Sequence, residues 1–399
     1  MEFKFAKRVE NAALSAIRVI GEYAVGKPDF VLLSIGNPAY ESFPIERIKE
    51  MNMKIFESPE SCRAALQYGS TTGTDALRDH LKARLAKYKG IDFEKNDVFI
   101  TSGSGPALDL MPQTFCEEED CAFVEEFTYT GELLALSTAR VKPIGIKLDS
   151  DGMNLEDLEA KIKANPKGKY LYIVPTFSNP TGITYPLEKR KAIYEICQKY
   201  DLLIYEDDPY GELRFQGKDV PCMKSFDTDG RVIYAGSFSK VMAAGLRVGF
   251  ICCDKGCFGK MNYCQGNRAP ATVTSQMIIS NYMDTYDWEA HLDAIRAIYG
   301  KKAAFMKECI DKYVHPACTR TDPDGGMFIW VTLPEGVDGK EVFEACLKNN
   351  VGVVPSFGFA ADPVNNPGRS FRLNYSAPTM EDIEKGCKRF GEVTHKFCK

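Results

Sequence analysis

Residues 236 to 240 read GSFSK, which places Ser237 and Ser239 directly before Lys240, and Arg247 follows in GLRVGF. Two hydroxyls and a guanidinium around one amine suit an anion held beside a potential nucleophile. A free lysine amine, with a pKa of about 10.4, is protonated near neutrality and does not attack a carbonyl. Burial or a neighbouring positive group lowers that value, and an imine with an aldehyde then becomes accessible. Standing alone, the Ser-Lys pair describes a surface lysine at the start of a helix. Its company suggests more.

A second turn, TSGSGPALDL from Thr101, offers Ser104 and Gly105 just before a helical run. Backbone N–H groups at the positive end of a helix attract phosphate. Either turn by itself is an ordinary helix cap. Taken together with Arg247, which can bind an anion in a planar, bidentate way, they describe a phosphate monoester pocket better. Asp207 and Tyr210 lie in YEDDPYGEL, and Asn179 lies in SNPTG. An aspartate at a strand end can cap a helix, ligate a metal or pair with a protonated ring nitrogen, whose charge it sustains. No metal-ligand set accompanies Asp207, whereas Tyr210 and Asn179 could meet a phenolate-like oxygen. A carbonyl-reactive lysine, a phosphate cup, a carboxylate for a ring nitrogen and donors for a ring oxygen together describe pyridoxal 5'-phosphate (PLP).

These residues need a frame that brings them together. Segments 97–103, 121–126, 169–176, 202–208, 231–237 and 247–253 are rich in Val, Ile and Tyr and nearly continuous in hydrophobicity, as strands covered on both faces must be. Helical patterns such as PLEKRKAIYEICQKY separate them, so the expected architecture is α/β, a mainly parallel sheet with right-handed crossovers. Ligands of such sheets bind beyond the carboxyl ends of the strands. Ser104, Tyr129, Asn179, Asp207, Ser237 and Lys240 all fall just there. After about residue 290 a long helical stretch, WEAHLDAIRAIYGKKAAFMKECIDKY, leads into GGMFIWVTLP, VGVVPSFGF and SFRLNYS, the texture of a smaller α+β domain. The expected division is an N-terminal arm over 1–42, a large domain over 43–290 and a small domain over 291–399.

Composition narrows the function classes. The 399 residues are 44% hydrophobic and 26% charged, enough for a well-filled core. A net charge of −5 argues against nucleic acid as the main partner. No apolar run approaches the roughly 18 to 20 residues a membrane span needs, and the N-terminus lacks a signal-peptide core, so a cytoplasmic protein is expected. Fourteen cysteines are scattered without a CxxC pair. The tightest group, Cys252, Cys253, Cys257 and Cys264, matches no standard zinc spacing and reads as reduced thiols.

The motifs SAIRVI, LSIGNPA, LQYGSTTG, TSGSGPALDL, PTFSNPTG, YEDDPY, GSFSKVMAAGLRVGF, GGMFIW and FRLNYS, in this order, run nearly end to end. With them the chain resembles a fold-type I PLP-dependent aminotransferase of class I/II, in the branch of the 2-aminoadipate and kynurenine enzymes. The resemblance implies a seven-stranded large-domain sheet. It also implies that Lys240 carries PLP through an imine and moves the proton at the substrate α-carbon. Asp207 then pairs with the ring nitrogen, Tyr210 and Asn179 with the ring oxygen, and Tyr129 stacks on the ring, with Pro209 on its other face. Ser104, Gly105, Ser237, Ser239 and Arg247 hold the phosphate, joined by Tyr68 from the other subunit of a homodimer. Arg372 clamps the substrate carboxylate with help from Asn179 and the Gly36 backbone.

The same resemblance assigns Arg18 to the distal carboxylate of an acidic substrate, although Arg18 is equally well a helix-surface charge, and Tyr40 could face a larger side chain. The expected reaction moves an α-amino group from an aromatic, branched or 2-aminoadipate-like amino acid to a 2-oxo acid, 2-oxoglutarate above all, by a ping-pong route. Two departures stand out: GSGPALDL replaces the more usual GSQQALDL, and PSFGFAAD lacks the usual glycine after proline. A PLP-dependent carbon–sulfur β-lyase would keep Lys240, Asp207 and Arg372. A PLP-binding effector module behind a DNA reader is a third class, for which this chain is expected to have no room.

Overall fold

The structure, a computed structural model, describes residues 3–5, 16–266, 270–366 and 368–399. Most of the N-terminal arm's first fifteen residues, Ser15 of SAIRVI included, therefore lie outside the described residues. Seven strands form the central sheet: β1 (Asn96–Thr101), β2 (Cys121–Glu125), β3 (Lys142–Ile146), β4 (Gly168–Ile173), β5 (Leu203–Asp207), β6 (Val232–Ser237) and β7 (Gly249–Asp254). Their spatial order is β1-β7-β6-β5-β4-β2-β3. All neighbours pair in parallel except β7, which runs antiparallel to both β1 and β6. The α/β architecture expected from the sequence is present. Strands β2 and β6 are buried along their whole length, the signature of a sheet covered on both faces.

Two details escaped the hydrophobic pattern. Strand β3, KPIGI, carries a proline and a glycine and is largely unburied, because it lies at the sheet edge, where a missing N–H is tolerated. The reversal of β7 follows from its connection. A parallel return needs a crossover of a dozen or more residues, usually helical. Between β6 and β7 the chain holds only a single π-helical turn, Ser239–Ala243, and a 3-10 turn, Ala244–Leu246. Lys240 and Arg247 ride on this short link.

A second, antiparallel sheet has the order β8-β9-β11-β10, built from β8 (Thr319–Arg320), β9 (Phe328–Thr332), β10 (Val354–Pro355) and β11 (Ser370–Asn374). It is reached through a 26-residue helix, Trp288–Tyr313, whose N-terminus is capped by Asp287 accepting from the N–H groups of Glu289 and Ala290. Buried Leu292, Ile295, Tyr299, Ala303, Met306 and Ile310 recur at three- and four-residue spacing and form its inner stripe. The helix Met380–Phe397 starts with a capping box between Thr379 and Asp382. Val31–Leu32 pairs in parallel with Val351–Gly352, which stitches the N-terminal segment to the end of the chain. Among the described residues no helix is long and apolar enough to cross a membrane.

Candidate active site

The carboxyl ends of β1, β2, β4, β5 and β6 open on one cavity of about 450 Å³. At one end lies the helix Ser104–Phe115, which follows β1 through Gly103 at φ 83°. That dihedral is one glycine adopts readily, and a Cβ there would press on the Arg247 guanidinium. Arg247, itself left-handed at φ 53°, donates from Nη2 to the Ser102 carbonyl at 3.4 Å and so stands beside the helix start. Pro106 occupies the third helical position, inside the first turn, where a missing N–H breaks no intrahelical bond. Ser237 Oγ accepts from the Ser239 N–H at 3.1 Å. Ser104, Gly105, Ser237, Ser239 and Arg247 all line this end.

Lys240 lines the same cavity from its π turn, a local helix defect common at functional positions. Its Nζ donates to the Gly36 carbonyl at 2.9 Å. Burial, reinforced by the positive charges of Arg372 and Arg247, brings the amine down to about 8.

Asp207 ends β5 and is buried. Tyr172, on β4, donates its hydroxyl to Oδ2 at 2.8 Å, while Oδ1 has no hydrogen-bond partner among the described residues. Burial pushes this carboxyl up to about 7; the Tyr172 bond opposes the shift and the Asp208 charge adds to it.

Arg372, on central strand β11, donates from Nη1 to Asn179 Oδ1 at 2.7 Å and from Nη2 to the Ser34 carbonyl at 2.7 Å. Asn179 in turn donates from Nδ2 to the Tyr210 hydroxyl at 3.3 Å. The guanidinium lies between Phe328 and Phe359, 4.3 and 4.8 Å from the ring centres. Its Nε has no partner among the described residues, and burial draws the guanidinium down to about 10. Tyr129 lines the cavity because residue 131 is glycine: a Cβ there would meet the Tyr129 ring at 2.4 Å.

Of the site residues singled out in the sequence, the structure brings all but Tyr68, Arg18 and Tyr40 to the cavity wall. Tyr68 is 98% exposed and Tyr40 82% exposed on this chain. Arg18 turns outward to an ion pair with Glu22 at 3.1 Å, and Ile17 of the same helix, Ala16–Ala24, lines the cavity instead. Tyr172, Phe328, Ile35 and Asn37 were not foreseen. Tyr172 had a signal, because a hydroxyl inside an apolar buried strand usually finds a partner. Phe328 stood inside the quoted GGMFIW, but its place over Arg372 depends on two separate strands meeting. Among the described residues, no group of three or more His, Cys, Asp or Glu could hold a metal ion.

The family described as aminotransferase class I and II matches residues 28–390. The chain belongs to that family. The aromatic-amino-acid aminotransferase 1 of Thermococcus litoralis is 36% identical over 98% of this chain and 93% of its own. Among solved structures, the Pyrococcus horikoshii kynurenine aminotransferase, in complex with PMP, superposes with a TM-score of 0.92 at 37% identity, covering 98% of this chain and 97% of that one. The alpha-aminoadipate aminotransferase of Thermus thermophilus, complexed with N-(5'-phosphopyridoxyl)-L-leucine, follows at 0.87 and 30% identity, with 98% and 97% covered.

The protein is thus a PLP-dependent aminotransferase of fold type I, in the branch with the kynurenine and 2-aminoadipate enzymes. The cavity of this aminotransferase suits the cofactor on its own terms. Asp207 Oδ1 is a buried acceptor without a donor among the described residues, as a ring N–H requires, and Gly103 leaves a cradle beside a helix N-terminus and Arg247, as a phosphate requires.

Proposed function

We propose that this aminotransferase transfers the α-amino group of aromatic, branched or 2-aminoadipate-like L-amino acids to 2-oxoglutarate in two half-reactions, with Lys240 as the covalent and proton-carrying residue. The observation that carries this reading is that one cavity gathers the half-buried amine of Lys240, a carboxylate oxygen of Asp207 with no partner among the described residues, and the buried guanidinium of Arg372. When bound, PLP supplies an electron sink for the charge left on the substrate α-carbon.

In this reading the chain's residues divide the remaining work. Ser104, Gly105, Ser237, Ser239 and Arg247 take the phosphate, and Tyr129 covers the ring. Asp207 accepts from the ring nitrogen, and Tyr210 with Asn179 bonds the ring oxygen. An amine brought down to about 8 is neutral in roughly a tenth of molecules at pH 7. That fraction can attack an aldehyde and later accept the α-proton. Arg372 receives the substrate carboxylate in a desolvated, bidentate pair, already aimed by Asn179 and the Ser34 carbonyl.

Ile17, Ile35 and Phe328 give the cavity apolar walls, which favour aromatic and branched donors. An acidic substrate needs Arg18 to leave Glu22 and turn inward. The exposed Tyr68 is assigned to the partner's phosphate cup in a homodimer, and residues 43–290 and 291–399 to the large and small domains. A panel of amino donors assayed against 2-oxoglutarate and pyruvate tests the reading, with fast transfer from phenylalanine, tyrosine, leucine and 2-aminoadipate to 2-oxoglutarate expected. Release of pyruvate and ammonia from cystathionine without any amino transfer would overturn it in favour of a β-lyase.

A further inference from the structure

Tyr172 lines the cavity and stacks on Tyr205 of the neighbouring strand, and the two rings differ in one bond. Tyr172 on β4 and Tyr205 on β5 are both fully buried, with ring centres 5.7 Å apart and planes 19° apart. The Tyr172 hydroxyl donates to Asp207 Oδ2 at 2.8 Å; the Tyr205 hydroxyl has no hydrogen-bond partner among the described residues. The other titratable groups interacting with Asp207 are acids and phenols, namely Asp208 beside it, Glu125 at the end of β2, Glu132 on the helix Thr130–Ala139, Tyr129 at the start of that helix, and Tyr210, while the cations Lys240, Arg247 and Arg372 line the same cavity. Glu125 accepts from Tyr185 at 2.8 Å and Ser178 at 3.2 Å, and Glu132 from Tyr170 at 2.7 Å. Burial pushes both glutamates up to about 8, so they are mostly neutral at pH 7. Asp208 is held ionised by Lys89 at 2.9 Å and Tyr234 at 2.7 Å. Among the described residues, no donor other than Tyr172 bonds a side-chain oxygen of Asp207.

A carboxylate held at one oxygen cannot rotate freely, and its second oxygen then points where the first bond dictates. We propose that Tyr172 is a positioning residue that pins Asp207 Oδ2, aims Oδ1 at the ring nitrogen of PLP, and thereby sets how firmly that nitrogen keeps its proton. The inference rests on the role assigned to Asp207 above. Without the donated bond Asp207 becomes a stronger base, and the shared proton moves toward it. The ring then withdraws less charge from the group joined to Lys240, whose own proton is held to higher pH.

The test is a pH titration of the visible absorbance of the PLP-loaded protein without substrate, together with the dissociation constant for PLP. Tyr172→Phe is expected to raise the titration midpoint by about one pH unit, a tenfold change in the acid constant, and to weaken PLP binding by about the same factor. Tyr205→Phe removes an equally buried hydroxyl from the neighbouring ring and should leave the midpoint in place. Equal shifts in the two variants, or none in Tyr172→Phe, overturn the proposal. If Tyr172→Phe does not fold, 3-fluorotyrosine at position 172, a stronger donor, should lower the midpoint, and an unchanged one overturns the proposal. Asp207→Asn separates the two readings: a shift there with none in Tyr172→Phe rejects the positioning role alone, and no shift in either rejects the Asp207 assignment as well.

Discussion

The two ends of the cavity are built differently. The end proposed to hold the cofactor is assembled from turns that leave a single sheet, so Ser104, Asp207, Ser237 and Lys240 inherit their spacing from strand pairing that is buried and regular. The substrate end has no such frame. Arg372 comes from the small sheet, Ser34 and Gly36 from the N-terminal segment, Ile17 from the first described helix and Phe328 from β9. Its hydrogen bonds span long stretches of chain, with Arg372 and Ser34 338 residues apart and Lys240 and Gly36 204 apart. One end is held by a ladder, and the other by the packing of remote segments. Chemistry common to a family belongs on the first, while selection among substrates can change on the second without disturbing the first.

The largest effect that would break this division is at Lys240. Lys240→Ala should cost on the order of 10⁴-fold in turnover and remove the pH-dependent visible band that the lysine-linked cofactor gives. Turnover within tenfold of the parent would show that the cofactor end does not work as assigned. Next comes Arg372→Ala, expected to lower kcat/KM for amino acids by about 2–5 kcal/mol, because the bond lost is a desolvated charge pair. If the ends are independent, PLP loading, read from absorbance, stays near the parent level; a variant that cannot hold PLP would merge the two ends into one unit.

One measurement joins them through charge alone. Lys240 is held near 8 by burial and by the positive charges of Arg372 and Arg247. Capture of PLP by the cofactor-free protein needs the neutral amine, so its rate should climb with pH and level off above about 8, rather than continue toward the roughly 10.4 of a free lysine. A neighbouring cation disfavours the protonated amine, so Arg372→Ala should move that midpoint upward. A midpoint that stays put would confine Arg372's influence to the substrate. The smallest effects belong to the first described helix. Ile17→Ala should reduce kcat/KM for aromatic donors by about 1–2 kcal/mol through lost apolar contact. Arg18→Ala should spare those donors and impair only acidic substrates, and an equal loss on both would assign Arg18 to the helix rather than to specificity.

The cofactor end was legible in the sequence because strand, turn and polar residue lie within a few positions of one another. GSFSK, TSGSGPALDL and YEDDPY each carry their own geometry. Strand β3 was not legible, since an exposed edge places no demand on side-chain pattern, and the direction of β7 emerged only from the short link holding Lys240. Arg18 illustrates the opposite case. A motif can mark a residue, but on the helix Ala16–Ala24 a step of one position turns the side chain by about 100° and places Ile17 rather than Arg18 in the wall.

The sequence by itself determined the chemistry: an amine near hydroxyls and an arginine, a carboxylate at a strand end, and an apolar α/β frame to collect them. These are local consequences of residue type and spacing. Only the tertiary structure decided the charge state of that amine, the partnerless oxygen on Asp207, the Tyr172 bond beneath it and the rings enclosing Arg372. Each of these depends on desolvation and on contacts between residues far apart in the chain, and neither is set until the two sheets and the N-terminal segment have closed around the cavity.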